Sequence, residues 1–329
     1  MNILVTGGTG YIGSHTAVEL INSGHDVIIA DNLCNSTEAS LDSIEQLCKK
    51  RPRFYKYDLA KKSNCEKIFK ENKISAVIHF AGLKAVGESV AKPLEYYRNN
   101  IVSTLNILDS MRENGCKTII FSSSATVYGM PKTLPITEDF PLSVTNPYGS
   151  TKLMIETILK DLFVADNSMS ITLLRYFNPI GAHKSGLLGE NPSGIPNNLM
   201  PLIIRAAKGE MTLKVFGNDY NTPDGTGVRD YIHVCDLANG HIKALSNHEK
   251  SGIYTYNLGT GNGYSVLELI NTFEKVNNVT VPFEFAARRP GDIDACYADP
   301  SKAKRELGFE AKFGIEDMCL DSWNFAKNN

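Results

Sequence analysis

The length, composition and charge of the chain favour a globular protein whose partners are small molecules. Its 329 residues are 42% hydrophobic and 21% charged, which suits one large domain and a smaller one. A net charge of -2 without a Lys or Arg run argues against nucleic acid and anionic membranes, and no stretch approaches the roughly 20 apolar residues of a membrane span. The cysteines and histidines show neither a disulfide pattern nor metal-ligand spacing, so we expect a cytoplasmic protein without a metal.

A β-α-β unit with a glycine-rich turn opens the chain. Apolar runs predict strands over Asn2–Thr6 and Asp26–Ala30, with a helix over Tyr11–Ser23 between them. The turn Gly7–Gly13 matches G-x-G-x-x-G, and its missing side chains let the backbone approach a pyrophosphate at the helix N-terminus. Asp31, after the second strand, would accept hydrogen bonds from ribose hydroxyls and repel a 2′-phosphate. A glycine triplet alone indicates only a tight turn, but this combination predicts dinucleotide binding, with NAD favoured over NADP.

Further apolar runs continue the alternation of strands and helices. They predict strands over Arg53–Tyr57, Ala76–Phe80, Thr118–Phe121 and Ile171–Phe177. Buried runs at helix-separated intervals indicate an α/β fold with a doubly wound (Rossmann) parallel sheet, whose ligands bind beyond the carboxyl ends of the strands. We therefore expect one crevice to be ringed by the residues that follow strands, namely Asp31, Asp58, Ala81, Gly82 and Ser124.

A change of composition after Phe177 marks a predicted domain boundary. The segment 178–198 is rich in Gly, Pro, Asn and Ser, which predicts a long surface loop. We assign residues 1–177 to an NAD-binding domain and 178–329 to a smaller mixed α+β substrate domain, with about 228–250 returning to the first. Predicted loops of the second domain carry three arginines, which can bind a phosphate group or simply face solvent, together with Asp292: Arg229, Arg288 and Arg289.

Tyr148 and Lys152 form a candidate acid–base pair. Asn146-Pro147 predicts a helix start, with Asn as the N-cap and Pro in the first helical position. On this helix Tyr148 and Lys152 share a face, and the ammonium would lower the phenol's pKa from about 10 towards the working pH. The same spacing is typical of an ordinary amphipathic helix edge, so the pair alone does not decide between the two interpretations.

Longer blocks of sequence resemble one protein family nearly from end to end. The glycine-rich turn, Ser124 after the fifth strand and Tyr148-x-x-x-Lys152 resemble the extended short-chain dehydrogenase/reductases. Within them the chain resembles the UDP-hexose 4-epimerases, through the blocks His79–Ser89, Phe121–Gly129, Leu174–Pro179, Gly194–Pro201 and Asp224–Val234. The resemblance implies that Tyr148, as phenolate, takes the proton of the sugar 4-hydroxyl while the C4 hydride passes to NAD. Lys152 would assist the tyrosine and bind the nicotinamide ribose, and Ser124 would bridge the hydroxyl and the tyrosine. The 4-keto sugar would then turn over and receive the hydride on its other face.

The resemblance also implies the ligand-binding residues. NAD would be bound by Gly7, Gly10, Tyr11, Ile12, Gly13, Asp31, Asn32, Asn35, Ser36, Asp58, Leu59, Phe80, Ala81, Gly82, Lys84, Asn99, Tyr148, Lys152, Tyr176 and Phe177. The UDP-sugar would be bound by Ser124, Asn178, Asn198, Leu199, Phe216, Arg229, Arg289, Asp292 and Cys296.

Cys296 bears on which sugars are accepted. In the family, a bulky tyrosine at the matching position is typical of members confined to UDP-glucose and UDP-galactose, and a small residue of members that also accept N-acetylated sugars. The resemblance therefore predicts activity on UDP-N-acetylglucosamine and UDP-N-acetylgalactosamine as well. Without the resemblance, Cys296 is most simply a buried small residue. The family further implies a homodimer, for which the segment 94–114 and the helix from Pro147 to about Val164 are candidates, although their apolar faces can equally be core.

Epimerisation has to be distinguished from three other functions: dehydration, net dehydrogenation and cofactor sensing without catalysis. Related dehydratases carry an acidic pair just after the serine or threonine of strand five, where this chain has Ala125 and Thr126, which cannot act as acid or base in an elimination. A net dehydrogenase would need added NAD and release NADH. A cofactor-sensing binding protein would need neither Tyr148 nor Lys152, so the intact pair argues against it.

Overall fold

A seven-stranded sheet with helices around it is the largest feature of the computed structural model, which describes residues 1–192, 194, 196–246, 250–289 and 291–328. The strands are β1 (Asn2–Thr6), β2 (Asp26–Asp31), β3 (Arg53–Lys56), β4 (Ala76–His79), β5 (Thr118–Ser124), β6 (Ser170–Tyr176), β7 (Asn178–Ile180), β8 (Leu213–Phe216), β9 (Val228–His233), β10 (Gly252–Leu258), β11 (Gly263–Ser265), β12 (Phe283–Ala286) and β13 (Ala295–Cys296). The large sheet has the order β10-β6-β5-β4-β1-β2-β3, and its strands from β5 to β3 pair in parallel. This confirms the predicted Rossmann-type α/β fold.

Helices follow most strands of the large sheet. They are α1 (Tyr11–Asn22), α2 (Ala39–Cys48), α3 (Lys62–Glu71), α4 (Val86–Ala91), α5 (Pro93–Glu113), α6 (Pro147–Ala165), α7 (Leu199–Ala207), α8 (Val234–Ser246), α9 (Val266–Asn277), α10 (Ser301–Leu307) and α11 (Ile315–Asn328), with a 3-10 helix over Ala125–Tyr128. The start of α6 is as predicted, because the Asn146 side chain accepts a hydrogen bond from the Gly149 N–H at 2.8 Å and Pro147 is the first helical residue. Within the described ranges, no helix combines the length and apolarity that crossing a bilayer requires.

The chain divides into two compact units. Unit 1 consists of the described residues of 1–129, 141–175 and 238–256, and contains the seven-stranded sheet apart from the last residues of β6 and β10. Its core joins strand residues such as Leu4, Ile119 and Leu173 to Ile107 of α5 and Leu159 of α6, all of them fully buried. These apolar runs form strands because both faces of the parallel sheet are covered.

Unit 2 consists of the described residues of 130–140, 176–237 and 257–328. In it, β9 pairs with β7 and β13 in parallel and with β11 antiparallel, while β8 and β12 form a separate parallel pair. A second core gathers buried residues that include Ile203, Leu213 and Phe273. The assignment of cofactor binding to the first part of the chain and of substrate binding to the second stays a prediction.

Two local predictions were wrong. The segment 178–198 was expected to be a loop throughout, but Asn178–Ile180 forms β7, because its backbone pairs with β9 despite the proline. Strand β5 was expected to end at Phe121 but continues to Ser124. Ser123 is compatible with a buried strand because its hydroxyl donates to Glu156 on α6 at 2.6 Å.

Candidate active site

The glycine-rich turn between β1 and α1 is packed too tightly for side chains. Gly7 has φ +67°, and a Cβ there would lie 2.8 Å from the Ala81 nitrogen. A Cβ on Gly13 would collide with the carbonyl oxygen of Gly7. Helix α1 follows Gly10, which has no side chain to cap the first turn. The turn therefore offers a helix N-terminus at which an anionic group can approach the backbone.

Asp31 is held beside this turn at the end of β2. Its carboxylate accepts hydrogen bonds from the Thr9 N–H at 3.2 Å, the Leu33 N–H at 2.9 Å and the Ser36 hydroxyl at 3.3 Å. The Ser36 hydroxyl also lies 2.8 Å from that of Thr9. A carboxylate has about four acceptor sites, so Asp31 keeps capacity for a ribose hydroxyl. The remaining acceptor capacity of Asp31 and the tight backbone of the glycine-rich turn both fit a dinucleotide.

The remaining cofactor residues predicted in unit 1 lie after strands or on the neighbouring helices. Because β3, β2, β1, β4 and β5 are parallel neighbours, their carboxyl ends meet at one edge of the sheet, where Asp31, Asp58, Ala81, Gly82 and Ser124 lie. Asn32, Asn35 and Ser36 continue from β2, Leu59 follows Asp58, Phe80 and Lys84 follow β4, and Asn99 lies on α5. Tyr176 and Phe177, by contrast, belong to unit 2.

Ser124, Tyr148 and Lys152 lie together at the end of β5 and the start of α6. The Ser124 side chain lies close enough to Tyr148 to act on the pKa of its phenol, and Ser124 also caps the 3-10 helix by accepting the Thr126 N–H at 3.2 Å. The Lys152 ammonium donates to the Ser122 carbonyl at 2.6 Å and lies 5.8 Å from the centre of the Tyr148 ring. The structure therefore brings all three predicted catalytic residues into one cluster.

Burial dominates the electrostatics of this cluster. It raises the pKa of Tyr148 to about 12, although the hydrogen bond from Ser124 acts in the opposite direction. Burial also lowers the pKa of Lys152 to about 8. The prediction that the pKa of Tyr148 lies below its ordinary value is wrong for this structure, because burial of the phenol raises that pKa and the Lys152 ammonium is bonded to a backbone carbonyl.

Apart from Ser124, the predicted substrate residues lie in unit 2, and several form one charged cluster. The Asp292 carboxylate accepts hydrogen bonds from Arg289 at 2.8 and 3.3 Å and lies 3.7 Å from an Arg229 nitrogen. The Arg289 guanidinium lies 5.1 Å from the centre of the Phe216 ring. Cys296 on β13 pairs with Arg229 on β9, and burial raises the pKa of its thiol to about 11.

The other predicted substrate residues are not all in this cluster. Asn178 lies on β7, next to β9, and its side chain donates to the Asp230 carbonyl at 3.0 Å. Asn198 precedes α7, where Leu199 is the first residue, and donates to Glu190 at 2.6 Å. None of the contacts described links Asn198 or Leu199 to Arg229 or Asp292.

Two supporting residues had no predicted role. Asn100 on α5 accepts the Leu83 N–H at 2.7 Å and donates at 3.0 Å to both the Leu83 carbonyl and the Thr151 hydroxyl, so it ties the turn after β4 to α6. The buried Asp230 carboxylate accepts from the backbone of Thr260, Gly261 and Ala298. The sequence gives only a weak indication of these two roles, namely that each polar residue lies within an otherwise buried helix face or strand.

Comparison with known proteins places the chain in a family. A family model described as GDP-mannose 4,6 dehydratase matches residues 4–322. The UDP-glucose 4-epimerase of Bacillus subtilis (strain 168) is 61% identical over 331 residues, covering 100% of this chain and 98% of that protein. The chain belongs to the UDP-glucose 4-epimerases. The crystal structure of the Bifidobacterium longum UDP-glucose 4-epimerase with NAD⁺ and UDP has a TM-score of 0.97 at 56% identity, covering 100% of this chain and 99% of that one. The UDP-Glc/GlcNAc 4-epimerase of Campylobacter jejuni has a TM-score of 0.87 at 34% identity, covering 100% and 99%.

Membership of the UDP-glucose 4-epimerases confirms the predicted resemblance. The match to a dehydratase model does not carry dehydration with it, because the residues after Ser124 are Ala125 and Thr126 in a 3-10 helix. Neither side chain can exchange a proton with a sugar carbon at ordinary pH.

Proposed function

We propose that the protein inverts C4 of UDP-hexoses, interconverting UDP-glucose and UDP-galactose with a bound NAD. The observation that carries this proposal is the cluster of Ser124, Tyr148 and Lys152, in a chain 61% identical to a UDP-glucose 4-epimerase. A cofactor-sensing protein would have no use for this cluster, and a dehydratase would need acidic groups beside it.

The cofactor is proposed to be held by the glycine-rich turn and Asp31. The tight backbone of Gly7, Gly10 and Gly13 receives the pyrophosphate, and the free acceptor capacity of Asp31 receives the adenosine ribose. When bound, NAD⁺ would supply a hydride acceptor and donor for C4 and a positively charged ring. The Bifidobacterium longum structure contains NAD⁺ and UDP, which supports the same pair of ligands here.

Tyr148 is proposed to exchange the proton of the sugar 4-hydroxyl. Since burial holds its pKa near 12, the phenolate has to be stabilised by positive charge when the ligands are bound. The Lys152 ammonium, 5.8 Å from the centre of the Tyr148 ring, is proposed to supply part of it at that stage. Ser124 lies beside Tyr148, so its hydroxyl can orient the sugar oxygen or relay the proton. Inversion would follow when the C4 hydride leaves one face of the sugar and returns to the other face after the 4-keto sugar has turned over. Tyr148 would take the hydroxyl proton in the first step and give it back in the second.

The residues of unit 2 are proposed to hold UDP. Arg229 and Arg289 can bind the diphosphate, and the Phe216 ring offers a surface for the base. Small Cys296 leaves room for a 2-acetamido group, which supports activity on UDP-N-acetylglucosamine and UDP-N-acetylgalactosamine. The Campylobacter jejuni relative, which is a UDP-Glc/GlcNAc 4-epimerase, is consistent with that extension.

A cytoplasmic homodimer is proposed as the working form. Helices α5 and α6 pack side by side in unit 1, and apolar side chains remain exposed on them, with Leu94 73% exposed. The others are Val102, Leu105, Met154 and Val164. Exposed apolar side chains on two neighbouring helices are compatible with a protein interface. All seven cysteines are thiols, which supports a reducing compartment.

Incubation with UDP-galactose and no added NAD tests the proposal. Proton NMR of the sugar nucleotide should show UDP-glucose appearing, and the same final mixture should form from UDP-glucose. A requirement for added NAD, with NADH accumulating in step with substrate loss, would favour a net dehydrogenase. Unchanged substrate together with bound NAD would favour a cofactor-sensing protein.

A further inference from the structure

Glu156 and Arg175 form a buried ion pair close to the catalytic cluster. Arg175 donates to the two carboxylate oxygens of Glu156 at 2.9 and 2.7 Å, and the side chains are 3% and 0% exposed. Each member has a further partner on the segment that carries Ser124. Glu156 accepts a hydrogen bond from the Ser123 hydroxyl at 2.6 Å, and Arg175 donates to the Tyr128 hydroxyl at 2.9 Å.

These contacts place α6 in a fixed register against β5. Three residues one turn apart on α6 face three consecutive serines of β5. Lys152 donates to the Ser122 carbonyl, Glu156 accepts from the Ser123 hydroxyl, and Tyr148 lies beside Ser124. A shift of the helix along the strand would break all three contacts at once. The contact of Glu156 is the one that does not involve a predicted catalytic residue.

The ion pair also fixes the chain on both sides of Ser124. Ser123 precedes it in β5, and Tyr128 ends the 3-10 helix that begins after it. A buried ion pair is rarely more stable than apolar residues of the same volume, since desolvation offsets the attraction. Its presence here is therefore better explained by the geometry that it imposes than by stability.

We infer that Glu156 and Arg175 are positioning residues for the proton transfer, acting by holding Ser124 and α6 in the arrangement that Tyr148 needs. This inference rests on the proposed epimerase function. Neither residue touches the reacting atoms. Loss of the link should lower kcat without weakening substrate binding, because the UDP-binding residues lie elsewhere in the chain.

Ser123→Ala is the mildest test, since it removes one hydroxyl and leaves the ion pair intact. For UDP-galactose we expect kcat to fall about 10-fold or more, with KM within about 2-fold of wild type, because small misplacement of catalytic groups is costly. The melting temperature should fall modestly, because one buried hydrogen bond to a carboxylate is lost. The pH profile should keep its shape, since no charge is removed. Ser110→Ala is the matched control: Ser110 is fully buried in α5, and its hydroxyl has no partner among the described residues.

Two further variants separate positioning from stability. Ser123→Thr keeps a hydroxyl and should recover most of the lost kcat. The double variant Glu156→Leu with Arg175→Met replaces the pair by apolar side chains, and should melt near the wild-type temperature while its kcat stays reduced about 10-fold or more. A Ser123→Ala enzyme with wild-type kcat, or a folded double variant with wild-type kcat, would overturn the inference. A wild type inert towards UDP-galactose would instead overturn the proposed function.

Discussion

Lys152→Met should give a protein that is inactive yet at least as stable as the wild type. The Lys152 side chain is 5% exposed, and burial lowers its pKa from 10.5 to about 8. Keeping the ammonium protonated at neutral pH then costs about 3 kcal/mol relative to the unfolded chain. Methionine removes this penalty but also the charged hydrogen bond to the Ser122 carbonyl, worth about 1.5–3 kcal/mol. The net change should lie between about 0 and 1.5 kcal/mol in favour of the variant.

The pH dependence of this difference has a defined sign. Because the pKa of Lys152 is lower in the folded state, the unfolded chain binds more protons between the two pKa values, and wild-type stability from this group rises with pH across that window. The penalty is fully present below about pH 8 and is relieved as the pH approaches about 10.5. The stability advantage of Lys152→Met should therefore be greatest near neutral pH and shrink in alkaline buffer.

Urea unfolding at two pH values, together with initial rates on UDP-galactose, measures both effects. Epimerase activity should fall at least about 100-fold, since the variant has no cation beside Tyr148 and no donor for the nicotinamide ribose. Lys73→Met, at an exposed position of unit 1, is the control and should change neither quantity appreciably. A Lys152→Met protein with near-wild-type kcat would refute the catalytic role, and one destabilised by more than about 2 kcal/mol would refute the burial argument.

Further substitutions probe the other parts of the proposed site. Tyr148→Phe removes the proton acceptor and should lower kcat by about 10²–10⁴ with unchanged circular dichroism; wild-type turnover would show that the proton takes another path. Gly13→Ala places a methyl group against the Gly7 carbonyl, so the purified protein should lose its bound NAD, whereas Gly87→Ala, with open space around it, should keep it; equal NAD content in the two would contradict the glycine cradle. Cys296→Tyr should abolish turnover of UDP-N-acetylglucosamine while sparing UDP-glucose, as measured by NMR on both substrates. A wild type inert towards the acetylated substrate would remove the basis for that specificity.

Much of the fold could be predicted from the sequence, because the apolar pattern and the capping residues of the large elements are local features. Apolar runs such as Asn2–Thr6 become buried parallel strands, and Asn146-Pro147 starts α6 through a cap that depends only on nearby backbone. The short strands β7 and β13 have no such pattern. Asn178–Ile180 contains a proline, and Ala295–Cys296 is two residues long, so both exist only because β9 lies beside them.

The site, too, has features that could be predicted from the sequence and features that could not. The clustering of Ser124, Tyr148 and Lys152 could be anticipated from a strand end and a helix spacing. The pKa of Tyr148 could not, because desolvation depends on what packs over the ring in the folded chain. The pairing of Glu156 with Arg175 could not be predicted either, because it depends on how α6 packs along β6 in the folded chain.

Inversion of C4 should proceed by removal and return of the same carbon-bound hydrogen, while Tyr148 takes and returns the proton of the 4-hydroxyl. UDP-galactose deuterated at C4, incubated with the purified protein and no added NAD, tests this directly. The UDP-glucose that forms should retain the deuterium at C4, and no net NADH should form. Loss of the deuterium to solvent, or product only when NAD is added and reduced, would contradict it.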